Sequence, residues 1–234
     1  LDNVRHLAPF ADEIELLFFE SRFEDSLPSP NLIGKLAQLS ENLNIRYNVH
    51  LPTDIFLGHP DMGIRHKAID VLKKMFEYCA LLNPTTYTLH LMQNFSEPDI
   101  RNWRANTASS LEAVLKTGIA SRCISVENLD YTFEQAAPII RLLDLSVCMD
   151  MGHLMVQGAD MKSFYAKWKD RITMIHLHGV DGIQDHLPLD RLESRLMDQV
   201  MEILHAYSNT VSLEVFSFEA LDASMKVLEK RWRW

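Results

Sequence analysis

No Gly-x-Gly-x-x-Gly turn occurs anywhere in these 234 residues, which removes the phosphate-cradling fingerprint of dinucleotide-binding sheets. Cysteine is nearly as sparse. Cys79, Cys123 and Cys148 are an odd number with no C-x-x-C spacing, so neither a disulfide framework nor a thiolate zinc site is expected, and buried free thiols in a reducing cytoplasm are the reading they support. No apolar run approaches the roughly 18 residues that span a bilayer, and no charged-then-apolar leader opens the chain, so no membrane segment is expected. Positive charge is short as well: 23 Lys and Arg face 32 Asp and Glu, a formal net charge of −9, and the basic residues are scattered. A surface of that sign repels a phosphate backbone, so nucleic acid is not an expected partner.

What the chain does have is alternation. Strand-like runs fall at Glu13–Glu20, Arg46–Leu51, Thr86–Leu91, Cys123–Leu129, Ser146–Asp150, Thr173–His178 and Val211–Phe216. Helical patterns separate them, as in Ile64–Leu82, where Ile64, Ala68, Val71, Leu72, Met75 and Phe76 form one apolar stripe. Strands alternating with helices imply right-handed βαβ crossovers and a parallel sheet. No linker or shift of composition divides the chain, and residues 1–234 read as a single domain.

An open doubly wound sheet and a closed (β/α) barrel of the TIM type both satisfy that alternation. A barrel places functional groups at the C-terminal end of nearly every strand. Such groups are present: Glu20, His50, His90, Glu127, Asp150, His176 and Glu214, separated by 23 to 40 residues, the length of one β-loop-α-loop unit. The barrel is therefore the expected fold, with seven strands visible. A helix-like piece at Asn3–Phe10 precedes the first of them, which implies that the barrel's first strand is missing and that the sequence is N-terminally truncated.

Converging strand ends would gather these side chains around one cavity, where several carboxylates repel one another unless a cation or proton intervenes. Imidazoles interleaved with carboxylates form a mixed nitrogen and oxygen donor set, suited to Zn, Mn, Fe or Co rather than Mg or Ca. His153 lies just beyond Asp150, His178 two residues after His176, and Asp185-His186 shortly after that. His178 is open to three roles: metal ligand, substrate ligand, or a residue orienting a ligand. Glu20, Asp54 and Tyr131 fall at the expected barrel mouth and are candidates for substrate contact. His6, His59, His66 and His205 read as surface residues, and the tail Lys230–Trp234 as packing on a helix.

The order of these residues resembles the endonuclease IV and xylose isomerase-like barrel superfamily along essentially the whole chain. The resemblance implies three sets of metal ligands: His50, His90 and Glu127; then Glu127, Asp150, His176 and Glu214, with Glu127 shared; then His153, Asp185 and His186. The superfamily has Asp-x-His in the third set, whereas Asp185 and His186 are adjacent, and adjacent side chains of an extended chain diverge; two or three divalent transition-metal ions are implied. Members use such metals for phosphoester hydrolysis or for aldose–ketose isomerisation and epimerisation. The stretches YNVHLPTDIFLG, SVENLDYTFE, VCMDMGHLMVQG, IHLHGVDGIQDHLPLD and VSLEVFSFEAL are further similar to the cobamide-remodelling phosphodiesterase family. That resemblance implies a corrinoid substrate, hydrolysed at the phosphodiester of its nucleotide loop, with Glu127, Glu214 and His178 in catalytic roles.

Overall fold

The computed structural model describes residues 1–22, 26–93 and 99–232. The chain forms two compact units, Leu1–Glu127 with Phe133–Ser146, and Asn128–Thr132 with Val147–Trp234.

The first unit runs α1 (Asp2–Leu7), β1 (Glu13–Leu17), α2 (Pro30–Leu43), β2 (Arg46–His50), α3 (Met62–Cys79), β3 (Tyr87–Leu89), α4 (Ile100–Leu115), β4 (Ile124–Glu127) and α5 (Ala137–Leu142). Its four strands pair in parallel in chain order, with Leu17 opposite His50, His50 opposite Thr88, and Leu89 opposite Val126. The helices start where the sequence can cap them. Ser29 Oγ accepts from the Leu32 amide with Pro30 in the first turn, and Asp61 and Asp99 do the same for α3 and α4. The stripe read along α3 is largely the buried one: Ala68, Ile69, Leu72, Met75 and Phe76. Every residue of β3 and β4 is buried, as expected of parallel strands covered on both faces.

The second unit carries β5 (Ser146–Asp150), α6 (Met151–Val156), α7 (Met161–Trp168), β6 (Ile172–Leu177), β7 (Gly179–Asp181), β8 (Gln184–Leu187), α8 (Ser194–Ala206), β9 (Thr210–Leu213) and α9 (Phe218–Trp232). β5 and β6 are parallel with Asp150 opposite His176, and β6 and β9 are parallel with Leu177 opposite Leu213. β7 and β8 form a separate antiparallel hairpin.

Sequence and structure differ in several places, and β3, β4 and β9 all end before their expected bounds. β1 ends at Leu17, three residues short of Glu20. The hairpin was not expected, because its two strands are only three and four residues long. Helix α6 occupies what reads as a loop after Asp150, and the Asp150 carboxylate is its cap. Cys123 lies half-buried in a short 3-10 turn, whereas Cys79 and Cys148 are buried; burial pushes the Cys79 thiol up to about 12. In the tail, the Trp232 ring lies 4.9 Å from His205, and Arg231 Nη1 donates to Asp198 at 2.7 Å, so α9 packs on α8. Arg233 and Trp234 lie outside the described residues. Among the described residues no helix is long and apolar enough to cross a membrane.

Candidate metal centre

In the first unit, β2 and β4 end on His50 and Glu127, and His90 follows β3 directly. The three ligand atoms lie within 4.8 Å of one another. His90 Nε2 is 3.0 Å and His50 Nε2 3.5 Å from the same oxygen, Glu127 Oε2. The His50 tautomer follows from its other nitrogen. Nδ1 is 3.0 Å from the carbonyl oxygen of Leu51, which can only accept, so Nδ1 carries the proton and the Nε2 lone pair is turned toward the carboxylate. A lone pair aimed at a buried carboxylate oxygen calls for a cation or a proton between them.

In the second unit, Asp150 closes β5, His176 is the penultimate residue of β6 and Glu214 follows β9. Their ligand atoms also lie within 4.8 Å of one another. His176 Nδ1 is 3.0 Å from Glu214 Oε2 and 4.0 Å from Asp150 Oδ2. Asp150 is fully buried, and its Oδ2 receives no hydrogen bond among the described residues. An ionised oxygen so placed is costly unless a positive charge meets it. These residues therefore fit a divalent cation.

A third group gathers around α6 and the hairpin. His153, His178 and His186 each offer a ring nitrogen within 4.8 Å of the others. His153 Nδ1 is 3.0 Å from the Asn128 carbonyl, so it donates there, as His50 donates to Leu51. Asp185 stands outside this trio: its Oδ1 accepts from His186 Nδ1 at 3.0 Å. Two adjacent residues can meet because His186 has φ of 53, a left-handed conformation that breaks the usual strand alternation. His186 Nε2 faces Glu214 Oε2 at 3.7 Å. Burial lowers the His186 pKa, but the facing carboxylates of Glu214 and Asp185 outweigh it and push it up to about 9. Burial raises the Asp185 pKa, yet the His186 hydrogen bond and the nearby imidazoles take it below the ordinary value.

The substrate candidates scatter. Glu20 is exposed, beyond the end of β1. Asp54 accepts from the Ser21 amide at 2.8 Å and pairs with Arg22 at 3.5 Å, so it shapes the loop after β1. Tyr131 is half-buried, and burial, then the charge of Asp130, raise its phenol above the usual range. Two residues that matter were not singled out from the sequence. The Asn128 side chain clamps the Asp150 backbone, donating to its carbonyl at 2.9 Å and accepting from its amide at 2.8 Å. Gly152 leaves room for the His178 ring, since a Cβ there would lie 1.8 Å from His178 Cε1. Asn128 follows Glu127 directly, and a polar residue buried one step beyond a strand-end carboxylate is the signal that could have found it.

Residues 10–231 match the xylose isomerase-like TIM barrel family. The chain belongs to it. The family's barrel is also the fold of a D-tagatose 3-epimerase-like protein, with a TM-score of 0.83 at 19% identity over 98% of this chain and 91% of that one. It is likewise the fold of the IolI protein with a bound zinc atom, with a TM-score of 0.77 at 18% identity over 98% of this chain and 92% of that one. A probable endonuclease 4 of Campylobacter fetus subsp. fetus (strain 82-40) is 27% identical over 145 residues, 56% of this chain and 51% of its own. The chain thus spans about half the length of that curated relative. The TIM-type barrel expected from the strand-end pattern is the fold of this family, and the endonuclease IV likeness is found in sequence.

Proposed function

We propose that this family member is a metal-dependent phosphodiesterase that hydrolyses the nucleotide-loop phosphodiester of cobamides. The observation that carries the hydrolytic reading is the trio His50, His90 and Glu127. An isomerase needs one cation, whereas the His-His-Glu trio is the donor set that the resemblance to endonuclease IV ties to phosphoester hydrolysis. When bound, divalent ions such as Zn, Mn, Fe or Co would acidify a water and offset charge on the phosphoryl oxygens. The protein residues do the rest. His50 and His153 aim Nε2 by donating Nδ1–H to backbone carbonyls, Asn128 fixes the backbone of Asp150, and Glu127 and Glu214 supply the carboxylate oxygens facing the imidazoles. Glu20, Asp54 and Tyr131 remain the proposed substrate contacts, Asp54 by shaping its loop. The corrinoid as substrate rests on the similarity of the strand-end stretches to the cobamide-remodelling family.

The test is a product analysis by mass spectrometry, with the protein loaded separately with Co, Mn, Fe or Zn and incubated with adenosylcobalamin. Paired corrinoid and riboside fragments are expected, with the rate falling about 100-fold or more in Glu127→Gln. Intact cobamide with every metal would sink the substrate, and an unchanged rate in Glu127→Gln would sink the mechanism.

A second reading, a sugar epimerase or isomerase with one metal for which Glu127, Asp150, His176 and Glu214 are the expected ligands, is favoured by the fold shared with the epimerase-like protein. It predicts exchange of a substrate C–H with solvent deuterium in a ketose and no loss of activity in His50→Ala. Action on DNA, the substrate class of an endonuclease, is disfavoured by the net charge of −9.

A further inference from the structure

We propose that His178 is not a cation ligand but a positioning residue, whose Nε2-protonated ring holds Asp150 Oδ1 and ties it to the β7–β8 hairpin. This rests on the reading of Asp150 as a cation ligand, not on which reaction follows.

By proximity alone His178 belongs with His153 and His186 as a third nitrogen donor. Its ring hydrogen bonds exclude that. The backbone amide of His186 donates to His178 Nδ1 at 2.9 Å. An amide nitrogen can only donate, so Nδ1 must present a lone pair, and that lone pair is already used. The carbonyl of Gly179 lies 3.2 Å from the same Nδ1, and the other tautomer could donate to it. That tautomer would press an N–H against the His186 amide and orphan a buried backbone donor. The amide decides the tautomer, and the ring proton sits on Nε2.

Nε2 lies 3.2 Å from Asp150 Oδ1, with the N–H meeting the oxygen off-line. Two atoms facing each other off-line at this separation could also be two donors to one cation. A protonated Nε2 has no lone pair for a cation, so the contact is an electrostatic one from N–H to carboxylate. Oδ1 also accepts from the His153 amide at 2.7 Å as the cap of α6. The two closest protein donors therefore fall on one oxygen, and Oδ2, which takes no hydrogen bond among the described residues, faces His153 Nδ1 at 3.4 Å and His176 Nδ1 at 4.0 Å. The ring is stacked 4.2 Å from His186 at 12°, and Gly152 packs so close to it that a Cβ there would lie 1.8 Å from Cε1. His50 and His153 show the opposite arrangement, Nδ1–H to a carbonyl with Nε2 turned inward. Among these three rings, what Nδ1 touches tells His178 apart from His50 and His153.

Long-range proton–nitrogen correlation spectra of the full chain, metal-free and zinc-loaded, read this directly. The expected result is a His178 Nδ1 without a proton and an Nε2–H that persists when zinc is added. A proton on Nδ1, or an Nε2–H lost on loading, would overturn the assignment. Zinc titrations provide the second arm. His178→Ala should bind as many ions as wild type but about tenfold or more weakly, and His178→Gln, which can both donate and accept, should recover most of that affinity. Loss of one zinc equivalent in His178→Ala would make the ring a ligand. If wild type took up no zinc, the cation reading of Asp150 would fail, while the tautomer in metal-free protein would still be read on its own. Should His178→Ala not fold, the wild-type spectra decide.

Discussion

The two oxygens of Asp150 do different work. Oδ1 caps α6 and meets His178, while Oδ2 is buried and turned toward His176. A strand-end aspartate could be picked out from sequence because a carboxylate after VCM has no structural reason to be there without a partner. Which oxygen faces which group could not, since that depends on hydrogen bonds made by residues up to 28 positions away, His178 among them. His186 has a consequence that can be measured in metal-free protein. Its pKa of about 9, against an ordinary 6.5, means that the folded state binds its proton more tightly than the unfolded state. The stabilisation from the Asp185–His186–Glu214 contacts is then fully present below about pH 6.5 and is lost as pH rises through about 9. With chelator present, urea unfolding of wild type and His186→Gln at pH 6, 8 and 10 should give a difference in stability that shrinks steadily with pH. A constant difference would mean that folding does not raise the His186 pKa.

At the scale of elements, strands were more legible than the pieces between them. β5 falls at its expected bounds, Ser146–Asp150, and β6 is displaced by one residue at each end, because near-continuous apolar runs with a polar terminus have few other readings. Helix α6 was hidden: six residues containing a glycine and starting on a functional aspartate carry too little periodicity to register. The hairpin escaped for a similar reason, its eight positions from Gly179 to Asp185 and His186 being dominated by polar residues. Yet α6 and the hairpin are what bring His153, His178 and His186 together. Gly152 tests this packing with an opposed sign. Alanine in place of glycine inside a helix ordinarily gains up to about 1 kcal/mol. Here the added methyl would meet the His178 ring at 1.8 Å, so Gly152→Ala should instead cost about 1–3 kcal/mol in a urea titration. A gain in stability would mean that the ring does not rest on α6.

For the molecule as a whole, the barrel could be read from the spacing of seven strand-end residues, because a parallel strand, a crossover helix and two loops need a nearly fixed length of chain, and the family came from the resemblance those residues carry. The substrate could not, because loop shape rather than strand spacing selects it. The net charge of −9 and the buried carboxylates Glu127, Asp150 and Glu214 point instead to the dependence of folding on cations. A cation that binds the folded chain and not the unfolded one adds RT ln(1 + [L]/Kd), about 2.7 kcal/mol at a hundred times Kd. For a chain of this length that corresponds to a rise in Tm of roughly 5–10 °C per site. Thermal unfolding after exhaustive chelation, then with zinc, manganese or cobalt restored, should show such a rise, with magnesium giving less because the donor sets contain imidazole. In Glu127→Gln the rise should diminish without vanishing, since Asp150, His176 and Glu214 retain a complete set. Equal Tm values with and without every metal would remove the cation from the account of these carboxylates and leave the cost of burying their charge to be relieved by protons.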